Sequence, residues 1–304
     1  MNRRRFCQLS GSAALAVPSI SKAEDAFSVR YVLSSAMYGD MPLDTVLGEV
    51  ARAGCESVDI WRKGHATHRE QITEMGDEAF QTLLKKRGTK MAISTCYPLG
   101  PFKQDEEISW AKKNGGTMTL CGSGGMGKRD PVGEEAKKQV KAFFEKLKPH
   151  YELAESKGIT MVIENHKNSM LSSPDSIRYF SELNPSKNIG IAFAPHHLHD
   201  VVDDIPTLIK DCGKENIPFI YFQEHHKSSK EKMSEQEQLK QLPGHGSLDY
   251  VPILAALRDI KFDGLAEIFG HPVPRGIPML GTAGEITAAI NTSREYISDC
   301  LKKI

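Results

Sequence analysis

Short apolar runs rich in β-branched residues alternate with longer amphipathic stretches along almost the whole chain, and that alternation leaves few folds open. The strand candidates are "VRYVLSS" (29–35), "SVDIW" (57–61), "KMAIST" (90–95), "TMTLC" (117–121), "ITMVIEN" (159–165), "IGIAFA" (189–194), "PFIYFQ" (218–223) and "GLAEIF" (264–269). Helical spacing is clearest over 134–156, where Val140, Phe143, Phe144, Leu147, Tyr151 and Ala154 fall on one face and Gly158 supplies a stop. A second such face, Ile286, Ala289, Ile290, Ile297 and Leu301, predicts a last helix over 285–302. Near-continuous apolar strands suit a parallel sheet covered on both sides. Eight strand–helix units in 304 residues predict an α/β protein, a single (β/α)8 TIM barrel. The rival is an open doubly wound sheet, which would make "GSGGMG" (122–127) a dinucleotide loop. "KRDP" separates those glycines from the next helix, so no helix N-terminus would point at a phosphate, and we read the segment as a glycine-rich loop at the barrel mouth.

The N-terminus has the three-part layout of an export signal: Arg3, Arg4, Arg5 and Phe6, a short apolar stretch near Ala13–Val17, and "SKA" ending at Ala23. The expected organisation is a twin-arginine-type signal peptide over 1–23 and a barrel domain over 24–304, with the mature protein in the bacterial periplasm. The apolar stretch is far shorter than the roughly 20 residues of a membrane span, so no stable membrane anchor is expected. Removing 1–23 takes away Arg3, Arg4, Arg5 and Lys22 and no acid, leaving 35 basic residues of the original 39 against 39 acidic ones. A mildly acidic protein has no general attraction for nucleic acid. Five cysteines follow the signal, Cys55, Cys96, Cys121, Cys212 and Cys300, with no C-x-x-C pair, which argues against a disulfide framework or a thiolate zinc site.

In such a barrel the chemistry sits at the C-terminal strand ends. Two carboxylates stand out there, Glu164 and Glu267, each closing an apolar run. Each is expected to face inward, partly desolvated, with a raised pKa unless a cation compensates it. Facing each other across the mouth, they could take a proton from a bound substrate and return it. The plain alternative is a structural ion pair for each. Histidines are plentiful beside them, in "IENHK", "APHHLHD" and "QEHHK".

The chain resembles the xylose-isomerase-like barrels of the sugar phosphate isomerase/epimerase superfamily, on "VIENH" (162–166), "IGIAFAPHHL" (189–198) and "LPGHGSLDYVPILAALRDIKFDGLAEIF" (242–269). The resemblance covers essentially the whole mature chain. In ketose 3-epimerases of that superfamily a divalent ion is held by Glu, Asp, His and Glu on strands five to eight, and the two glutamates transfer the proton. It implies these roles for Glu164 and Glu267. The family's strand-six Asp aligns with Ala194, and its strand-seven His falls on Tyr221 or Gln223. The substrate-contacting His of the family's D-x-x-H pattern carries over onto His197. The metal candidates are therefore Glu164, Glu267, His197 and Gln223, with His225 as an alternative to Gln223. Mixed nitrogen and oxygen ligands suit Mn, Co, Fe, Ni or Zn better than Mg. A site without metal is the alternative, because Ala194 stands where the Asp is expected, and histidines would then do the acid–base work.

Further substrate-binding candidates are Trp61, able to stack on a sugar ring or simply core; His166, either a hydrogen-bond donor that orients a ligand residue or a ligand itself; and Arg275 in the loop after strand eight. His245 lies in the long polar stretch 226–247, which could close over the site or be a solvated excursion. His196 and His199 are expected to face out of the barrel or into the following turn. The expected function is an exported carbohydrate isomerase or epimerase working through an enediolate. A lyase on keto-glycosides using the same base, or a non-catalytic sugar-binding barrel, are the alternatives. The expected partner is a small carbohydrate. Export, acidic charge and an incomplete multi-zinc ligand set exclude an endonuclease.

Overall fold

The computed structural model describes residues 27–224 and 233–304. The expected signal peptide and His225 lie outside these residues. Eight parallel strands close into a barrel in chain order: β1 (Arg30–Ser34), β2 (Ser57–Trp61), β3 (Met91–Thr95), β4 (Met118–Gly122), β5 (Thr160–Glu164), β6 (Ile189–Phe193), β7 (Phe219–Phe222) and β8 (Leu265–Ile268). β1 pairs with both β2 and β8, which removes any free sheet edge. The doubly wound alternative is thereby set aside.

Each strand is buried almost throughout, as a sheet needs when side chains fill its inside and helices cover its outside. The helix expected over 134–156 runs Gly133–Lys157, and Gly158 ends it in a left-handed conformation (φ +63°) that lets its N–H cap the last turn. Phe143 and Leu147 on that helix are fully buried. Phe143 meets Phe180 of the helix Pro174–Leu183 at 6.2 Å between ring centroids. Each such ring adds on the order of 2–3 kcal/mol by leaving water. The last helix runs Ala283–Leu301.

The glycine-rich segment is a loop between β4 and the helix at Gly133. It is fastened to the loop after β5: the Asp130 N–H donates to the Ser169 carbonyl, and the Leu171 N–H to the Ser123 hydroxyl, 3.0 Å away. Of the polar stretch 226–247, residues 233–247 are described. They contain a short helix, Glu235–Leu239, and are gripped by Glu224. The buried Glu224 carboxylate accepts from the Gly244 N–H (3.2 Å) and the Leu248 N–H (2.9 Å). A Cβ on Gly246 would lie 2.5 Å from a Glu224 oxygen, so this position takes no side chain. The Gln241 side chain joins this stretch to the loop after β8, donating to the His271 carbonyl (2.7 Å) and accepting from the His271 N–H (2.8 Å). Cys55, Cys96, Cys121, Cys212 and Cys300 are all free thiols. No helix among the described residues is long and apolar enough to cross a membrane.

Candidate active site

Glu164 closes β5, and its side chain is 4% exposed at the C-terminal mouth. Asn165 fixes the next rung. Its side-chain oxygen accepts from the Ala194 N–H (2.7 Å) and its amide donates to the Ala194 carbonyl (3.1 Å), extending the β5–β6 ladder past its last pair. Ala194 is thus held through its backbone. The turn that follows, with the His197 N–H on the Ala194 carbonyl, brings the His197 ring back toward Glu164. His197 Nε2 lies 3.7 Å from Glu164 Oε1, within ion-pair reach but too long for a hydrogen bond.

His166 completes a cluster. Its ring centroid is 3.8 Å from that of His197, and one ligand atom from each of Glu164, His166 and His197 lies within 4.8 Å of the others. His166 Nδ1 is 2.8 Å from the Lys167 carbonyl oxygen. A carbonyl only accepts, so the proton is on Nδ1 and the Nε2 lone pair is left for a ligand. Burial pushes the Glu164 pKa up, while His166, the Tyr97 hydroxyl and Arg275 pull it back. Glu164 Oε2 and the buried Gln223 Oε1 have no hydrogen-bond partner among the described residues. One carboxylate and two imidazoles, with an unsatisfied oxygen between them, fit a transition-metal ion better than Mg.

Glu267 is placed otherwise. It lies opposite Tyr221 in the β7–β8 register and is wholly buried. It is outside the Glu164, His166 and His197 group. Its polar neighbours are Ser34 and Asp59, and neither carboxylate oxygen reaches a donor in hydrogen-bond geometry. Asp59, inside β2, is also wholly buried and accepts from the Thr95 hydroxyl at 2.6 Å. Burial pushes Asp59 up to about 7, against the pull of Thr95, and burial together with Asp59 pushes Glu267 well up. Among the described residues no basic side chain pairs with either acid, so the two favour sharing a proton over carrying two charges.

Two residues on from these acids, toward the mouth, stand Trp61 and Phe269. Their rings stack at 5.0 Å and 13°, and Trp61 also stacks on Tyr97 at 5.4 Å. Trp61 is 1% exposed and, with Phe269, forms an aromatic layer over the acid pair. Glu267 is therefore shut from solvent and stands outside the Glu164, His166 and His197 group, although both glutamates act on the Tyr221 hydroxyl. Tyr97 bridges the two regions, with its hydroxyl 3.3 Å from that of Tyr221 and its neighbour Glu164 on the other side.

Of the other expected residues, Arg275 is exposed, yet its charge acts on Glu164, His65 and His271. His245 is exposed in the turn gripped by Glu224, its N–H on the Leu242 carbonyl. His199 faces outward beside Lys167 and Asp200. His196, expected to face outward or into the following turn, is buried in the 3-10 turn that starts at Pro195, its ring 4.1 Å from that of His197. Sequence reasoning passed over Asp59, although an acid two residues before Trp61 in an apolar strand signals a buried polar position.

A family profile described as "Xylose isomerase-like TIM barrel" matches residues 47–295. No curated protein sequence matches the chain. Among solved structures, an IolI protein with a bound zinc atom superposes with a TM-score of 0.68 at 15% identity, over 90% of this chain and 99% of that one. D-psicose 3-epimerase in the presence of D-fructose gives 0.66 at 13%, over 90% and 99%. A 3-keto-D-glucoside 4-epimerase from E. coli gives 0.62 at 13%, over 88% and 100%. At these identities the likeness is one of fold, while the profile spans most of the sequence: the chain belongs to the xylose isomerase-like TIM barrel family.

Proposed function

We propose that this chain is a carbohydrate isomerase or epimerase that removes a proton next to a carbonyl, with Glu164 as the base. The observation that carries the reading is the setting of Glu164: a buried carboxylate of raised pKa at the barrel mouth, beside the imidazoles of His166 and His197. A carboxylate made more basic by burial is suited to taking a carbon-bound proton near neutral pH. The His197 imidazole, 3.7 Å from Glu164, could donate to a developing enediolate oxygen, while the Nε2 lone pair of His166 can only accept or bind a cation. A transition metal held by Glu164, His166 and His197 would supply Lewis-acid polarisation of the carbonyl. The structures of a 3-keto-D-glucoside 4-epimerase and a D-psicose 3-epimerase on the same fold favour a neutral sugar or keto-glycoside as substrate. Residues 1–23 are the export signal in this reading, and the enzyme works in the periplasm on a small carbohydrate, without nucleic acid and without a membrane anchor.

The burial of Glu267 beneath Trp61 and Phe269 favours a second reading, since it leaves one carboxylate at the open site. A single base suffices for elimination, so the same proton removal followed by loss of a substituent would make the enzyme a lyase on keto-glycosides.

Incubation with 3-keto-glucosides and ketohexoses in deuterated water tests both readings. Deuterium should enter at the carbon beside the carbonyl, and Glu164→Gln should stop it. Release of the aglycone would mark the lyase. Exchange that persists in Glu164→Gln would overturn Glu164 as the base, and binding of these sugars without any exchange in the unmodified chain would overturn the enzymatic reading.

A further inference from the structure

If Glu267 is sealed below the mouth, some other group must face Glu164 across it. The structure puts two imidazoles there. His65, in the turn after β2, packs its ring 5.0 Å from Trp61 and 5.6 Å from Tyr97. His271, in the loop after β8, stands 4.6 Å from Phe269, and the two imidazole centroids are 5.2 Å apart. The Trp61 and Phe269 layer is thus the floor on which His65 and His271 stand. The two-point grip of Gln241 on the His271 backbone fixes that ring from the far side.

Both imidazoles stand next to the Glu164 cluster: His65 packs on Tyr97, the phenol that neighbours Glu164, and His271 packs on His65. Arg275 acts electrostatically on Glu164, His65 and His271, and His271 also feels His166 and His197. Burial lowers the basicity of both rings, so each is neutral, with one N–H to donate and one nitrogen to accept. Neither ring makes a hydrogen bond with the described residues: their edge contacts are aromatic, and only His271 Nδ1 is shut away from solvent. A rigid, neutral, donor-and-acceptor edge above an aromatic floor suits adjacent hydroxyls of an uncharged sugar. A carboxylate or phosphate would call for cations there.

We propose that His65 and His271 form the wall that binds the substrate's hydroxyl groups opposite Glu164, and so determine which sugar is held and how it is turned toward that base. The proposal rests on the carbohydrate reading above and adds the recognition surface to it.

The test uses the full chain and four probes: D-fructose, D-tagatose, D-psicose and methyl 3-keto-glucoside. Binding is measured by calorimetry for the unmodified protein, His65→Phe, His271→Phe and Glu164→Gln. Phenylalanine keeps the aromatic edge contacts and removes the ring nitrogens, and thermal melts confirm that each variant folds. Each His→Phe change should weaken the best-bound probe about tenfold, the loss expected for a hydrogen bond to a buried partner, while Glu164→Gln still binds. In protein labelled with 15N at histidine, that probe should shift the ring signals of His65 and His271. Unchanged affinity in both Phe variants, or ring signals unmoved by a bound sugar, would overturn the wall and leave the carbohydrate reading standing. Binding of none of the four probes by the unmodified chain would overturn both.

Discussion

Glu164 and Glu267 close similar apolar strands of one barrel, yet the molecule treats them as different groups. Glu164 meets imidazoles, a phenol and the field of a guanidinium at the mouth. Glu267 meets a second acid, under two stacked aromatic rings. The contrast shows that a glutamate at a barrel strand end acquires its role from what faces it across the barrel. Position in the strand brings the side chain inward; the cross-barrel neighbours decide whether it can ionise and whether a ligand reaches it.

The largest test of this contrast is catalytic. Glu164→Gln should lower the exchange rate about a thousandfold, within the usual range for a lost general base. Glu267→Gln replaces a proton-sharing carboxyl by a neutral group of the same shape and should keep the fold and most of the rate. Equal losses in rate assays of the two variants would erase the distinction. Metal content is the next test. Elemental analysis of purified protein should find a transition metal that is lost in His166→Ala and in His197→Ala and retained in Glu267→Gln; loss in Glu267→Gln would join the two regions into one site.

Stability sharpens the comparison further. Asp59 is raised in the fold from 3.8 to about 7, so its contribution is complete below 3.8 and is lost as the pH rises through about 7. Asp59→Asn should therefore gain stability relative to the unmodified protein between pH 4 and 8, on the order of 3 kcal/mol in denaturant unfolding. A difference flat across that range would show that the acid pair has its own counter-charge. The rim has the opposite sign. His65 is lowered from 6.5 to about 3 by burial, so its contribution is present above 6.5 and fades as the pH falls toward 3. His65→Phe should make unfolding less sensitive to acid over that window, the smallest of these effects, visible as a shallower fall in melting temperature.

Much of this arrangement was legible in the residues. Eight apolar runs gave eight strands with boundaries close to those observed, because a strand buried on both sides has to be apolar throughout. Glu164, His166 and His197 were legible as polar groups at the ends of such runs. Two things were not. The imidazoles of His196 and His197 come together in the tight 3-10 turn that starts at Pro195, and a geometry of that kind leaves no periodic trace. The sealing of Glu267 depends on Trp61 stacking on Phe269, a contact between the second and eighth strands that local spacing does not encode. Asp59 carried a usable signal, an acid in the middle of "SVDIW", whose partner only the closed barrel supplies.

The grip of Glu224 on Gly244 and Leu248 has a consequence for redesign. It anchors the turn 244–248 to the end of β7, so closure of this connection rests on one carboxylate and depends little on how many residues lie between. Segments of other sizes can be spliced in ahead of that turn to reshape the rim, provided Gln241 stays to hold the His271 backbone and Gly246 stays bare, since any substituent there would push against Glu224.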